Sequence, residues 1–292
     1  MIEKIFTLFL WSFLTGSFYL LVSIGFQIIC GVMRIWHIGY SYMFILTAYL
    51  TWFFMRDLGL GLIPSIAATV TVQIAFAILI YKVIMFKYIV EEEESLLLAS
   101  LLLISLIIRE AVNFFYPPYV GVNLPEISKE VIYVIGSAFS VQMLIVALTS
   151  LALLGLFLLF FLKTRIGLQI RATTMDLHTA ELLGINREKV YLLVSILSLI
   201  PPMVAMYLTA PIWGVHPDIG SEYFHNALLV SVLGGMGNLM GSLVAAYVLG
   251  LINSFVHIFL GEPRLGLLIS FIFILIVLII KKEGLTKGER LW

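Results

Sequence analysis

Nine stretches of this chain, at about 5–30, 35–55, 62–85, 95–116, 137–162, 191–209, 219–235, 239–260 and 265–280, are almost wholly apolar and are separated by short breaks carrying charge, proline or glycine. Nothing else in the sequence constrains the fold as strongly. A bilayer core is crossed by roughly 20 apolar residues of helix, because a helix pairs every backbone N–H and C=O within itself where no water is present. The runs therefore predict an all-α polytopic transmembrane bundle of about eight to nine spanning helices. A composition of 62% hydrophobic and 12% charged residues leaves no room for a soluble-domain reading. The chain reads as one membrane domain over 1–292, with no stretch long enough for an ATPase or soluble binding module of its own. Its first residues, MIEK, run straight into the first apolar stretch without a small-residue cleavage pattern, which reads as a spanning segment rather than a removable signal.

Charge sets the expected orientation. Lys163, Arg165, Arg171, Arg187 and Lys189 cluster in one break, and Lys281, Lys282, Lys287 and Arg290 crowd the end, so the positive-inside rule places both in the cytosol. The loops at 116–130 and 211–224, with their prolines and with Trp213, Tyr223 and Phe224, then face outward. The acidic run at 91–94 falls on the inner side, as a solvated loop face or as a docking patch for a partner. With 17 basic and 17 acidic residues, the zero net charge gives no field that favours nucleic acid.

The break at 163–190 is too polar to span and too helix-friendly to be a plain loop. Thr173 followed three residues later by Asp176 has the spacing of a capping box, and Gly184 is placed to end the helix, which predicts one short helix over 174–183. Asn186 caps the next helix, with Glu188 in its first turn. Met175, Thr179 and Leu182 fall on one stripe of the short helix, leaving a face set up either to dock a partner or to lie on the inner leaflet.

Three motifs carry a resemblance. G-L-Q-I-R-A at 167–172 with Asp176, Ala180 and L-L-G-I-N at 182–186, G-S-F-Y-L-L-V-S-I-G at 16–25, and V-L-G-G-M-G-N-L-M-G-S at 232–242 resemble, in order along the chain, the ABC permeases for branched-chain amino acids. The resemblance implies a cytosolic coupling helix between spans 5 and 6 that engages an ATPase through Gly167, Arg171, Asp176, Ala180, Leu183 and Gly184. Ala180 and Gly184 match the third and last marked positions of the importers' EAA motif, while His178 and Thr179 replace its acidic and small residues. It also implies partners: cytosolic ABC ATPase subunits, a second permease subunit, identical or related, and an extracytoplasmic solute-binding protein received at the outer loops. The implied setting is the cytoplasmic (inner) membrane of a prokaryote, with a branched-chain amino acid or a related small polar solute as cargo. ATP would be bound by the separate subunit, so no cofactor is expected on this chain. Two departures stand out: His37 to Ser41 reads H-I-G-Y-S where the family shows an Asn-Phe-Ala-His-Gly-like run, and Pro201 and Pro202 replace small residues, which predicts a kink.

The remaining residues divide between packing and function. Gly234, Gly235 and Gly237 break two apolar runs, so they either border the translocation path or pack a tight turn. His37, Tyr40 and Tyr42 either contact a polar substrate or anchor at the interface. Arg109 and Glu110 either snorkel outward or meet the binding protein, and Gln27, Gln73, Asn113 and Asn226 are candidates for bonds between helices. The five histidines show no ligand spacing and Cys30 is the only cysteine, so no metal is expected. No phosphate loop or nucleophile motif is present, so the chain reads as a transport subunit rather than an enzyme. A self-sufficient secondary transporter or channel is the alternative, but it needs ionisable groups buried mid-helix, and the centres of the runs carry almost none.

Overall fold

A computed structural model describes residues 2–117, 121–134, 136–262 and 264–281. Lys282, Lys287 and Arg290, read above as part of the inner basic cluster, and three residues of the 116–130 loop lie outside these. Among the described residues, seven helices are long and apolar enough to cross a membrane: Glu3–Met33, Ile38–Arg56, Leu62–Val90, Glu94–Phe115, Val141–Lys163, Arg187–Trp213 and Leu239–Leu260. The expected polytopic bundle is present, but the count of eight to nine is not reached by this measure. The last two segments that would complete it, α11 (Ile219–Gly234) and α13 (Arg264–Ile280), are only 16 and 17 residues long.

The hub is α1 (Ile2–Met33), 32 residues and about 48 Å at 1.5 Å per residue. It packs along α12 (Leu239–Phe255), where small residues let two backbones meet. A Cβ built on Gly250 would lie 2.7 Å from Gly16 Cα and from the Ser12 carbonyl oxygen. In lipid, where apolar contact alone does not drive helices together, such close approach is the main source of association. The same helix packs against α10 (Ile200–Trp213) and α11.

The predicted kink is real and sits just before the prolines. Helix α9 (Arg187–Leu197) stops at Ser198, whose hydroxyl donates to the Ser195 carbonyl at 2.8 Å, and α10 restarts with Pro201 and Pro202 in its first turn. Proline is tolerated there because first-turn N–H groups have no helical partner.

Two helices start part-way through the bundle. At the start of α2 (Ser41–Arg56), Ser41 shares a hydrogen bond with Ser105, midway along α5 (Glu94–Phe115). Gly220, in the first turn of α11, backs onto Ser41 and Ile45, and Asp218 just before it lies 3.4 Å from Arg109 of α5. The chain thus dips inward before each of these helices. Polar side chains tie α2 into place: Gln73 of α3 (Leu62–Ile80) donates to Thr47 at 2.7 Å, and Thr51 pairs with Thr69 at 3.1 Å and with Tyr207 of α10 at 3.2 Å.

The fifth span starts later than the hydropathy suggested. Residues 137–140 are not helical; β2 (Ser137–Ser140) pairs antiparallel with β1 (Val131–Val134), and α6 (Val141–Lys163) begins only where Ser140 accepts the Met143 N–H at 3.3 Å. V-I-Y-V is made of β-branched and aromatic residues, which favour the strand.

Candidate coupling site and outer cavity

Between the fifth and sixth spans the polar break folds into two helices, not the single helix over 174–183. Helix α7 (Arg165–Met175) ends at Asp176, whose extended backbone (φ −148°) cannot continue it, and α8 (Leu177–Leu182) begins there. The reason is the role of Asp176. Its carboxylate is the N-cap of α8, accepting the Thr179 N–H at 3.1 Å and the Thr179 hydroxyl at 2.6 Å, while Thr173 spends its hydroxyl on the Gln169 carbonyl. These bonds hold the Asp176 carboxyl below the usual carboxylate range.

The far end of α8 closes as expected. Gly184 takes φ +86°, its N–H bonds the Glu181 carbonyl at 2.9 Å, and the Ile185 N–H reaches the Ala180 carbonyl at 3.0 Å. This is a Schellman ending, which requires a left-handed residue after the helix and so favours glycine. Asn186 then caps α9, accepting the Lys189 N–H at 3.0 Å.

Burial separates the predicted coupling residues into two groups. Gly167 and Ala180 face the protein; a Cβ on Gly167 would lie 2.6 Å from Phe161 Cα. Arg171 is half-buried, and Asp176, Leu183 and Gly184 are exposed. Met175, Leu182 and Leu183 are 81%, 75% and 76% exposed, so the tip of the pair carries three large apolar side chains with no cover in the chain itself. The pair is held on both sides: Arg34, just beyond α1, donates from Nη2 to the Thr174 carbonyl at 2.8 Å, and Tyr81 donates to the Glu188 carbonyl, in the α9 that follows, at 3.0 Å. A cavity of about 590 Å³ lies beneath, with Arg34, Arg187, Glu92, Glu94, Asp176 and His178 on its wall. The acidic run is therefore a neighbour of α7 and α8, at the same end of the bundle.

The residues proposed from sequence to line a path are placed as follows. His37 and Tyr40 are wholly buried, with the Tyr40 hydroxyl donating to the Val22 carbonyl at 3.2 Å. Gly234 packs on Gly241 and Ser242, and the turn through Gly235 and Gly237 is clamped by Gln27 of α1, which donates to the Gly235 carbonyl at 3.2 Å and accepts the Gly237 N–H at 2.6 Å. Gly237 has φ +78°, and a Cβ there would lie 2.8 Å from Gly31 Cα. The structure thus brings the glycines together with α1, at the end where Arg34 meets Thr174.

A second cavity, of about 230 Å³, opens between α1, the 214–218 connection and α11. Phe18, Trp213 and Tyr223 form an aromatic corner, with ring centroids 4.7 Å apart for Phe18 and Trp213 and 4.9 Å for Phe18 and Tyr223. Thr209 occupies the Tyr223 hydroxyl at 2.8 Å, so that residue offers only its ring. Thr15 and Tyr19 line the cavity from α1, Glu222 and Asn226 from α11, and Glu222 lies 3.7 Å from His216. Sequence reasoning missed this group, having read Trp213 and Tyr223 as interfacial and Asn226 as an interhelical bond. One signal was present: Thr15 with Tyr19 and Glu222 with Asn226 are each four residues apart, a polar stripe on an otherwise apolar helix.

The family described as branched-chain amino acid transport system / permease component matches residues 8–278. The chain is similar to the high-affinity branched-chain amino acid transport system permease protein LivH of Salmonella typhimurium, 27% identical, with 92% of this chain and 91% of the relative covered. It is 25% identical to the corresponding protein BraD of Pseudomonas aeruginosa over 92% of each chain. A probable LivH of Methanocaldococcus jannaschii is 30% identical over 47% of this chain and 45% of its own. No solved structure matches. With nearly the whole chain inside the family match and a seven-helix apolar bundle around it, the chain belongs to the family of branched-chain amino acid transport system permease components.

Proposed function

We propose that this chain is one permease subunit of an ATP-driven importer in the cytoplasmic membrane of a prokaryote, and that its cargo is a branched-chain amino acid. The observation that carries the reading is the tip of α7 and α8. Three large apolar side chains stand uncovered on a polar helix pair, while the base of that pair is bonded to α1 and leads directly into α9. Exposed apolar side chains on a rigid mounting suit docking, and a cytosolic ATPase is the partner that a permease without a phosphate loop requires. Closure of paired ATPases would move the helix pair, and the pair would move the bundle, exchanging outward for inward access.

The relatives' names supply the cargo and the assembly: LivH and BraD are permease proteins of high-affinity branched-chain amino acid transport systems. A second permease subunit would complete the membrane part, and a solute-binding protein would deliver cargo at the face carrying the 214–218 connection. The test is uptake of labelled leucine into liposomes holding the permease, its co-purifying ATPases and the binding protein. Uptake that depends on internal ATP supports the reading. Uptake by the purified chain alone, indifferent to ATP, would overturn it in favour of a secondary transporter or channel.

A further inference from the structure

The outer cavity contains polar groups that the fold does not use. Among the described residues, Thr15, Tyr19 and Asn226 make no hydrogen bond, although each lines the cavity and each sits within an apolar helix. Leaving a hydroxyl or an amide unpaired in a low-dielectric interior is unfavourable, so such groups persist where water or a ligand reaches them. Tyr207, Tyr223 and Tyr247, by contrast, each have a hydroxyl partner, at 3.2 Å, 2.8 Å and 2.9 Å. Other side-chain atoms without a partner, such as both ring nitrogens of His37, are sealed in the interior, whereas Thr15, Tyr19 and Asn226 are half-buried and share one open cavity.

Chemistry then narrows the occupant. The wall carries one carboxylate, Glu222, with the His216 ring 3.7 Å from it, and neither lysine nor arginine. That selects against a net anion and for a group that brings positive charge. The aromatic corner adds ring faces, which attract an ammonium and also pack against aliphatic carbon. The hydroxyls of Thr15 and Tyr19 from α1, and the amide of Asn226 one turn beyond Glu222 on α11, are neutral donors suited to a carboxylate. A volume of about 230 Å³ exceeds the roughly 30 Å³ share of one liquid water and lies below the ~300–1,000 Å³ of sites for drug-sized ligands. One small solute fits.

We propose that this cavity is where the permease itself holds its cargo, a single zwitterionic aliphatic amino acid, with Glu222 taking the ammonium, Thr15, Tyr19 and Asn226 the carboxylate, and the ring of Trp213 the side chain. The proposal rests on the importer reading above and adds a seat within the membrane domain. The seat is also well placed mechanically, since one wall belongs to the middle of α1, whose C-terminal end meets the coupling pair through Arg34, and another belongs to α11, whose closing turn Gln27 clamps to α1.

The experiment uses the complete reconstituted transporter and reads two quantities together: ATP-dependent uptake of labelled leucine at a subsaturating concentration, and ATP hydrolysis stimulated by the loaded binding protein. Glu222→Gln is expected to lower uptake at least tenfold while stimulated hydrolysis stays within twofold, with Asn226→Ala giving a smaller loss of the same kind. A second measurement guards against misfolding. In the complete transporter carrying Asn226→Cys, a methanethiosulfonate reagent is expected to modify the new thiol, Cys30 being buried, and millimolar leucine is expected to slow modification at least threefold where equal glutamate does not. Wild-type-like uptake by both variants, or modification that leucine does not slow, overturns the proposal and leaves the importer reading standing. A wild-type transporter that moves no aliphatic amino acid overturns the importer reading instead, and the cargo seat with it.

Discussion

Arg34 Nη2 donates to the Thr174 carbonyl at 2.8 Å, joining the end of α1 to the end of α7 across 140 residues of sequence. A hydrogen bond from a charged donor contributes about 1.5–3 kcal/mol, and each 1.4 kcal/mol is a factor of ten in an equilibrium. Arg34→Ala is therefore expected to leave the ATPase bound but to cut leucine imported per ATP hydrolysed by about tenfold. Simultaneous assay of uptake and phosphate release in liposomes checks it, and an unchanged ratio would remove this bond from the coupling route.

The tip of α7 and α8 predicts a binding loss. Burying a leucine side chain is worth about 1.5–3 kcal/mol, so Leu182→Ser and Leu183→Ser should each weaken ATPase association by about ten- to a hundredfold. Gly184→Pro should abolish it by destroying the Schellman ending, because proline cannot adopt φ +86°. Quantifying the ATPase that co-purifies in mild detergent decides, provided the permease still reaches the membrane. Normal yields of ATPase with all three variants would mean that the partner grips elsewhere.

The cap on α8 predicts a pH profile. Because hydrogen bonds from Thr179 lower the folded carboxyl of Asp176, its contribution is present above the pKa of a free aspartate, about 3.9, and is lost as pH falls through the lower folded value. A spin label at Leu182→Cys should report an ordered α8 from neutral pH down to about 4, loosening only below that. Asp176→Asn should remove the pH dependence while keeping most of the order, since asparagine also caps, whereas Asp176→Ala should loosen α8 at every pH.

The Gln27 clamp predicts a stability change. Gln27→Leu leaves the Gly235 carbonyl and the Gly237 N–H without partners in the interior, an effect of about 1–3 kcal/mol for each group. Thermal unfolding in detergent should shift down by several degrees. Gly237→Ala, which combines φ +78° with a contact at 2.8 Å, should lower it further.

Why some of this could be read from the sequence, and some not, follows from how local each cause is. Helical spans announce themselves because the bilayer demands length and apolarity from each run separately. Gly184 and Asn186 were legible because capping chemistry involves only the next few residues. Asp176 was misplaced by three positions within its motif: read as the closing residue of a capping box begun by Thr173, it is itself the cap, and one helix becomes two. The Pro201–Pro202 kink was visible in composition, but that Ser198 marks the stop was not. The inward start of α2 and α11 depends on Ser105 and Arg109, more than 60 and 100 residues away, and so has no local signature. The outer cavity is least legible of all, since Thr15 and Asn226 acquire meaning only by facing each other across it.

The unbroken course of α1 has a geometric consequence. At 1.5 Å per residue, Thr15 and Tyr19 lie about 27 and 21 Å along α1 from its Met33 end, so a pivot of about five degrees there displaces them by about 2 Å. That is enough to carry a contact of about 2.9 Å out of hydrogen-bond range, so a small angular input at Arg34 suffices to release whatever Thr15 and Tyr19 hold, with no unfolding in between.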